Sequence, residues 1–300
     1  RSLISYYKRI LCNKDVEFVD LLKMLFNVDG ISGQLIIVTH STDALIGDYR
    51  NLIRFYEDQD KTAVISGYAL RPIAGTNNNG RIKAETEKHL IMHFPEIKEA
   101  FYAKCVLLIE GETEYGCIHK FAEKLGISLD DYGICVINAR GQNSIKPLRQ
   151  LFTFFSIPSV AIYDGDVKDG HAAAPDDFFT TELCFEIEIV KTLFSAGKAE
   201  LVRKIALDMD SNACSVSLDI DFVRNHFRKM GIDIAGYTPK KLSDVSDDDE
   251  EDFCRMFSAW FMAKKGVLLG RIIGDATPAE NIPACYSNAI QKAQEVAANV

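Results

Sequence analysis

The stretch that decides the fold runs from residue 105 to residue 114 and reads CVLLIEGETE. Its first five residues are an uninterrupted apolar run, which favours a strand buried on both faces of a sheet. Glu110 and Glu114 follow where this strand should end and a helix should begin. The same arrangement returns at residues 159–166, SVAIYDGD, where a second apolar run ends in Asp164 and Asp166. Because sites collect at the carboxyl ends of parallel strands, these acids predict a site at one edge of a sheet.

The sequence between the two strands completes a β-α-β-α-β pattern. The segments 112–125 and 145–155 have the periodicity of amphipathic helices, and another apolar run lies between them at 133–138. This alternation predicts an α/β fold with a parallel sheet flanked by helices. A further strand is predicted at 183–190, where Glu186 and Glu188 would point the same way in an extended chain.

The rest of the chain divides at the Gly/Asn-rich run of residues 75–80, which is typical of a break between domains. Pro95 should kink the helix that follows this run or start a new one. The other predicted elements are helices over 1–28, 81–103 and 284–298, a mainly helical region over 193–262, and strands over 35–38, 51–57 and 62–70.

Composition indicates a soluble globular protein of one or two domains, because 47% of the 300 residues are hydrophobic, 26% are charged and the mean hydropathy is −0.02. We expect no membrane span and no targeting signal, and therefore a cytoplasmic location. The chain begins with Arg1 rather than Met, so we expect N-terminal sequence to be missing.

The formal charge of −9 argues against a protein that coats nucleic acid with a basic surface. However, seven of the 43 acids lie between residues 244 and 252, which leaves 36 acids against 34 basic residues elsewhere. We interpret this acidic run as a solvated loop or a helix N-terminus and assign it no function.

The eight cysteines are scattered and include no C-x-x-C pair. No histidine stands at zinc-ligand spacing from them. We therefore expect reduced thiols, and neither disulfides nor a structural zinc site.

The four acids at the strand ends have the chemistry of a site for hard divalent cations. Mg²⁺ and Mn²⁺ prefer oxygen ligands and complete their shell with water and phosphate oxygens. A lone D-x-D is common in surface turns, and a lone E-G-x-x-E serves equally well as a helix start. Their joint occurrence at strand ends is more specific and predicts a metal site formed by Glu110, Glu114, Asp164 and Asp166.

The two motifs together resemble the Toprim domain of topoisomerases, primases and related nucleases. In that family the first glutamate and the D-x-D acids hold Mg²⁺. The segment 94–104, which reads FPEIKEAFYAK, is similar to the OLD (overcoming lysogenization defect) family. Members of that family carry an ATPase domain followed by a Toprim nuclease, and the Gabija defence nuclease belongs to the same group.

Residues 34–41, QLIIVTHS, are similar to the switch-histidine strand of ABC-type ATPases. In those proteins the histidine senses the γ-phosphate, so the resemblance implies a nucleotide-binding role for His40. No G-x-x-x-x-G-K-[ST] motif occurs in the sequence, so the chain as given should not hydrolyse ATP. We expect ATP to bind only through a missing N-terminal ATPase part.

The resemblance also implies an organisation in three parts. Residues 1–75 would be the C-terminal part of an ABC-type ATPase domain, and residues 76–104 a helical linker or dimerisation segment. Residues 105–300 would be a Rossmann-like Toprim nuclease domain with a helical insertion over about 193–262.

OLD-family nucleases add an acid after the D-x-D strand and a lysine further along the chain. Glu186 and Glu188 are the candidates for the acid, and Lys264 and Lys265 for the lysine. A lysine near the metals can stabilise the pentacovalent phosphate, and we prefer Lys265 for this role.

The function implied is a DNA endonuclease that depends on two Mg²⁺ or Mn²⁺ ions and cleaves phosphodiester bonds. The implied partners are double-stranded DNA, a second copy or more of the chain, and another protein of an antiviral defence system. The alternative is a non-catalytic Toprim module for dimerisation or sensing, coupled to an ATPase, with the amphipathic stretch 81–103 as its interface. Topoisomerase activity is disfavoured because it requires a tyrosine nucleophile on a separate domain.

Overall fold

A computed structural model of the chain divides into two compact units, Arg1–Arg71 and Pro72–Val300. None of the helices that it describes is long and apolar enough to cross a membrane. The residues that the structure describes are 2–45, 47–58, 61–70, 84–170 and 174–300. The break predicted at 75–80 lies outside them.

The first unit contains two helices and a hairpin. Helices α1 (Ser2–Leu11) and α2 (Val16–Phe26) replace the single predicted helical region, and the Asp15 carboxylate caps α2 by accepting a hydrogen bond from the Phe18 amide. Strands β1 (Ile53–Asp58) and β2 (Lys61–Ser66) pair antiparallel, close to the predicted positions.

The strand predicted at 35–38 is wrong. These residues form no strand, and Ile36 and Val38 are 81% and 93% exposed. An apolar run becomes a buried strand only where neighbouring strands supply hydrogen bonds and covering side chains. Within the described part of this unit, β1 and β2 form a ladder only with each other.

The second unit is built on a four-stranded parallel sheet, which confirms the predicted α/β fold. Its strand order is β4-β3-β5-β6. Every residue of β3 and β5 is buried, as expected for parallel strands covered by helices on both faces. The strands are β3 (Cys105–Ile109), β4 (Ile134–Asn138), β5 (Ser159–Tyr163) and β6 (Asp177–Phe179).

Two crossover helices connect the first three strands as the sequence predicts. Helix α4 (Glu112–Lys124) joins β3 to β4, and α5 (Gln142–Phe154) joins β4 to β5. Before them, α3 (Ala84–His93) ends just before Pro95, so the helix predicted over 81–103 is interrupted at that proline. A 3₁₀ turn, Lys98–Tyr102, then leads into β3.

The strand predicted at 183–190 is also wrong, because these residues open helix α6 (Phe185–Ser195). The edge position beside β5 is taken by β6, an earlier segment. The apolar run is therefore buried as a helix that packs against α9, α7 and α4 instead of extending the sheet, since a continuous apolar run fits either state equally well.

The remaining elements are mainly helical, as predicted for 193–262. Helix α10 approaches α4 closely at Thr113. A Cβ atom at Gly270 would lie 1.8 Å from the Thr113 carbonyl oxygen, so glycine is required there. These elements are α7 (Ala199–Met209), β7 (Ser217–Leu218), α8 (Ile220–Lys229), β8 (Lys240–Lys241), α9 (Glu250–Ala263), α10 (Val267–Ala276) and α11 (Ala284–Ala298).

The acidic run of residues 244–252 leads into a helix N-terminus, as expected. The Asp249 side chain caps α9 by accepting from the Asp252 amide at 3.0 Å, and three more acids occupy the first turn. Negative charge there is favoured by the helix dipole. The three-part domain organisation remains a prediction.

Candidate active site at the carboxyl edge of the sheet

The ends of β3 and β5 meet as the sequence predicts. Glu110 follows β3 and Asp164 follows β5, and the Asp164 amide donates to Glu110 Oε2 at 3.2 Å. This contact is possible because β3 and β5 are neighbours in the sheet and run in the same direction. Glu110 and Asp164, which are 54 residues apart in sequence, thus lie together at the carboxyl edge of the sheet.

Glu114 and Asp164 are the most strongly perturbed acids of this edge. Glu114 is 5% exposed, and burial, followed by the charges of Asp164 and Glu186, raises its pKa well above the ordinary value. Burial, followed by the charges of Glu110, Glu186 and Asp166, raises the pKa of Asp164 to about 8. The Oδ1 atom of Asp164 is buried and has no hydrogen-bond partner. These carboxylates therefore repel one another in a poorly solvated place.

Glu110 and Asp166 extend this group toward solvent. Burial raises the pKa of Glu110, and the charge of Asp166 raises it further. Asp166 itself is exposed on the 3₁₀ turn Gly165–Gly170, whose first amide is held by Thr180 Oγ1 at 2.7 Å. We refer to Glu110, Glu114, Asp164, Asp166 and Glu186 as the acid cluster.

Helix α6 separates the two glutamates that an extended strand would have aligned. Glu186 Oε1 accepts a hydrogen bond from Thr113 Oγ1 at 2.7 Å and faces the acid cluster. Glu188 Oε2 instead accepts from the Glu182 amide at 2.7 Å. Two residues are about 200° apart around a helix, so the two side chains cannot both face the cluster. The structure brings Glu186 to the cluster and leaves Glu188 outside it.

Four helices begin around the acid cluster. The Gly141 amide, before α5, donates to the Glu110 carbonyl at 2.8 Å, and the Gly266 amide, before α10, donates to Thr113 Oγ1 at 3.1 Å. Thr113 and Glu186 lie in the first turns of α4 and α6. Positive helix ends favour anions, whether carboxylates or phosphates.

The two candidate lysines occupy different surroundings. Lys264 forms an ion pair with Asp210 at 3.3 Å and stacks over the Trp260 ring. Lys265 is exposed and makes no ion pair with the part of the chain that the structure describes. It immediately precedes Gly266, whose amide contacts Thr113, so the backbone at Lys265 is the one held next to the cluster.

His40, the residue expected to bind nucleotide, belongs to the first unit. It is exposed and stands at the end of the extended segment that contains residues 35–38. Its nucleotide-sensing role remains a prediction.

Sequence reasoning missed two residues of this site and named a third, Lys229, only as part of the basic stretch 224–229. Thr113 is 1% exposed and bridges Glu186 to Gly266, and Thr180 holds the turn that carries Asp166. Lys229 lines a cleft together with Asp166. Thr113 carried a signal because it lies inside the EGETE motif, whereas the basic stretch did not indicate which of its residues reaches the acids.

The donor chemistry of the cluster fits a hard divalent cation. Five carboxylates face one region, and the buried, unpartnered Asp164 oxygen and the raised pKa values indicate negative charge that lacks a counter-ion. Among the described residues, no three His, Cys, Asp or Glu side chains converge closely enough to hold an ion as they stand. Burial raises the pKa of the nearby Cys285 to about 12, so its thiol stays protonated and does not favour a soft metal. The fit is therefore one of donor type and charge.

Comparisons with known proteins agree with this geometry. Residues 101–166 match the sequence profile of the OLD-like TOPRIM domain, described as the TOPRIM domain of overcoming lysogenization defect protein-like proteins. This match suggests a nuclease-type role for that part of the chain, and Toprim domains generally bind divalent metals. No curated protein matches the sequence significantly.

Solved structures that match part of this chain include C-terminal regions of two OLD proteins. That of Xanthomonas campestris pv. campestris is 19% identical, with 67% of this chain and 97% of that chain covered at a TM-score of 0.46. That of Burkholderia pseudomallei is 17% identical, with 65% and 99% covered at a TM-score of 0.41. The motifs and their sheet edge, together with the matched profile, identify residues 101–166 as a Toprim segment of the OLD type.

Proposed function

We propose that this chain is a DNA endonuclease that depends on Mg²⁺ or Mn²⁺ and hydrolyses phosphodiester bonds at the acid cluster. The observation that carries the proposal is the burial of Glu114 and of Asp164 Oδ1 beside three other carboxylates, with that Asp164 oxygen unpartnered. Buried carboxylates that lack a partner cost free energy of folding. An arrangement that costs stability is expected where binding or catalysis requires it.

The residues that would hold the metal are Glu110, Glu114, Asp164, Asp166 and Glu186. Two such ions, when bound, activate a water molecule and stabilise the leaving 3′ oxygen. Glu188 stays outside this set because its carboxylate is already bound to the Glu182 amide. Glu186 is the acid that follows the D-x-D strand in this proposal.

Other groups of the chain orient the ligands and the substrate. Thr113 donates to one oxygen of Glu186 and so leaves the second oxygen available. The helix N-termini around the cluster favour a phosphate oxygen, and Lys265 supplies a positive charge where negative charge develops on the phosphate. These positive groups would thereby offset the repulsion between the substrate phosphates and the ligand carboxylates.

We further propose the wider role that the family resemblance implies. The substrate is double-stranded DNA, the chain assembles as a homodimer or higher oligomer, and the activity serves antiviral defence together with a partner protein. Nucleotide would act through His40 and an ATPase part of the protein.

Cleavage of supercoiled plasmid by the purified chain tests the proposal. We expect nicked or linear product with Mg²⁺ or Mn²⁺, none with EDTA, and none from the Asp164→Ala/Asp166→Ala double variant. The matched control is Asp244→Ala/Asp248→Ala, which removes two exposed acids of the acidic run. If the wild-type chain binds Mn²⁺ without cutting any form of DNA, the non-catalytic assembly or sensing role would replace this proposal.

A further inference from the structure

Lys229 is the last residue of α8 and lies beside the acid cluster. It belongs to the mainly helical region, which is separate in sequence from both acidic motifs. One cleft nevertheless joins Lys229 to the cluster. The residues that line this cleft are Asp166, Leu183, Cys184, Ile187, Lys229 and Met262.

The charge of Lys229 reaches two further groups near the site. It opposes the rise in the pKa of Glu110, so the ammonium group is close enough to act on an acid of the cluster. Burial lowers the pKa of His226, and Lys229 and Lys265 both lower it further. Lys229 and Lys265 therefore stand near the same imidazole although they are distant in sequence.

Neither of these two lysines forms an ion pair within the part of the chain that is described. Neighbouring cations do: Lys240 pairs with Asp252 at 2.6 Å and Lys264 with Asp210 at 3.3 Å. A basic residue at the end of α8 is favoured by the helix dipole. The dipole does not explain why its side chain lines a cleft with Asp166. Lys229 lines a cleft with Asp166 without pairing with it, and Lys265 stands near the same imidazole as Lys229, so both ammonium groups are available to an anion.

We propose that Lys229 binds a backbone phosphate of the DNA strand at the acid cluster, and that Lys229 and Lys265 together form a two-lysine phosphate site. This inference rests on the proposed function. The phosphate of a nucleic acid fits because its oxygens can face the lysines on one side and, on the other, a divalent cation that the acid cluster would hold. The helical region then contributes directly to substrate binding.

The test compares Lys229→Gln and Lys229→Arg with the wild-type chain in Mg²⁺-dependent plasmid cleavage at several salt concentrations. The matched control is Lys104→Gln, an exposed lysine that precedes β3 at the opposite edge of the sheet. We expect Lys229→Gln to raise KM about 10-fold with a smaller change in kcat. We also expect it to reduce the slope of log(kcat/KM) against log[salt] by about 0.9, the value for one lost phosphate contact. Lys229→Arg should restore both quantities, and Lys104→Gln should change neither.

The possible failures are distinguishable. If Lys229→Gln keeps the wild-type KM and salt slope while Asp164→Asn is inactive, the proposal of a two-lysine phosphate site is wrong and the proposal of an endonuclease is retained. If Lys104→Gln changes the slope as much as Lys229→Gln does, the effect is one of general charge. If Lys229→Arg changes the slope as much as Lys229→Gln does, the effect does not come from the charge at this position. Either result overturns the two-lysine phosphate site. If the wild-type chain never cleaves DNA, both proposals fall. Thermal unfolding of each variant should match wild type, because both lysines are exposed.

Discussion

Two groups of acids in this chain have opposite electrostatic outcomes. In the acid cluster, burial and like charges raise the pKa of Asp164 to about 8, and one of its oxygens has no partner. In the acidic run, burial alone would raise the pKa of Asp252, but hydrogen bonds from Lys240 and Arg255 outweigh it and lower that pKa. Asp252 and Glu114 are both 5% exposed, so low exposure of a side chain does not by itself decide the direction of the pKa shift. The distinguishing feature is whether the fold supplies a cation.

This comparison separates acids that stabilise the fold from acids that are available for chemistry. Asp249 and Asp252 satisfy the N-terminus of α9 and tie it to Lys240 and Arg255. The acid cluster instead lacks a paired lysine or arginine in the part of the chain that is described. The same side-chain chemistry therefore contributes to stability in one place and reduces it in the other.

Substitution of Asp164 should produce the largest effect. Asp164→Asn removes a charged ligand at the centre of the cluster, so we expect metal-dependent cleavage to fall on the order of 1000-fold or more. The free energy of unfolding without metal should rise or stay the same, because one repelling charge is gone. Plasmid cleavage and urea unfolding measure the two effects. A large loss of stability would show that Asp164 is structural and would break the comparison.

Substitution of Thr113 should give the next largest effect. Thr113→Val keeps the shape of the side chain but removes the hydrogen bonds to Glu186 and Gly266. We expect a loss of about 10–100-fold in Mn²⁺ affinity or activity, as for other groups that orient metal ligands. Thr113→Ser should restore most of it. Mn²⁺ titration by electron paramagnetic resonance measures affinity, and equal affinity of Thr113→Val and wild type would contradict the orienting role.

The reverse behaviour is expected in the acidic run. Asp252→Asn weakens the contacts to Lys240 and Arg255 and should lower the free energy of unfolding by about 1–3 kcal/mol. Cleavage at a temperature where the variant is folded should not change. Because the pKa of Asp252 is lowered in the folded state, its contribution is present above the ordinary pKa and is lost as pH falls below about 4. Urea unfolding at pH 7 and pH 3 should show the difference between the variants shrinking at low pH.

The pH dependence of the acid cluster should have the opposite sign. Between about pH 4 and pH 8 the unfolded chain has lost the Asp164 proton while the folded chain retains it, so stability should decrease as pH rises through this window. A divalent cation should therefore raise the melting temperature by a few degrees more at pH 8 than at pH 6. Asp164→Asn should flatten both trends. Calorimetry with and without Mg²⁺ measures them, and a metal effect that is larger at pH 6 would contradict the assignment.

Sequence patterns predicted the parallel sheet and the meeting of Glu110 with Asp164, because apolar runs and strand-end acids are local signals with a fixed consequence in such a sheet. They failed at 35–38 and 183–190, where the same kind of run became an exposed segment and a helix. The outcome there depends on which neighbours are available, and no local pattern contains that information. The basic stretch 224–229 is visible in the sequence, but the position of Lys229 beside the acids is not, since Lys229 reaches the site only through the packing of α8.

The smallest expected effect concerns Glu188, and it tests whether the cluster has a boundary. Glu186→Gln should reduce activity about 10–100-fold, because Glu186 faces the other acids and is oriented by Thr113. Glu188→Gln should change activity less than about 3-fold, because the side-chain amide oxygen can still accept from the Glu182 amide. Both glutamates are buried in the first turn of α6, so each variant controls for burial and helix position of the other. Similar losses from both substitutions would mean that α6 acts through its packing, and the distinction between ligand acids and structural acids would then not hold on this helix.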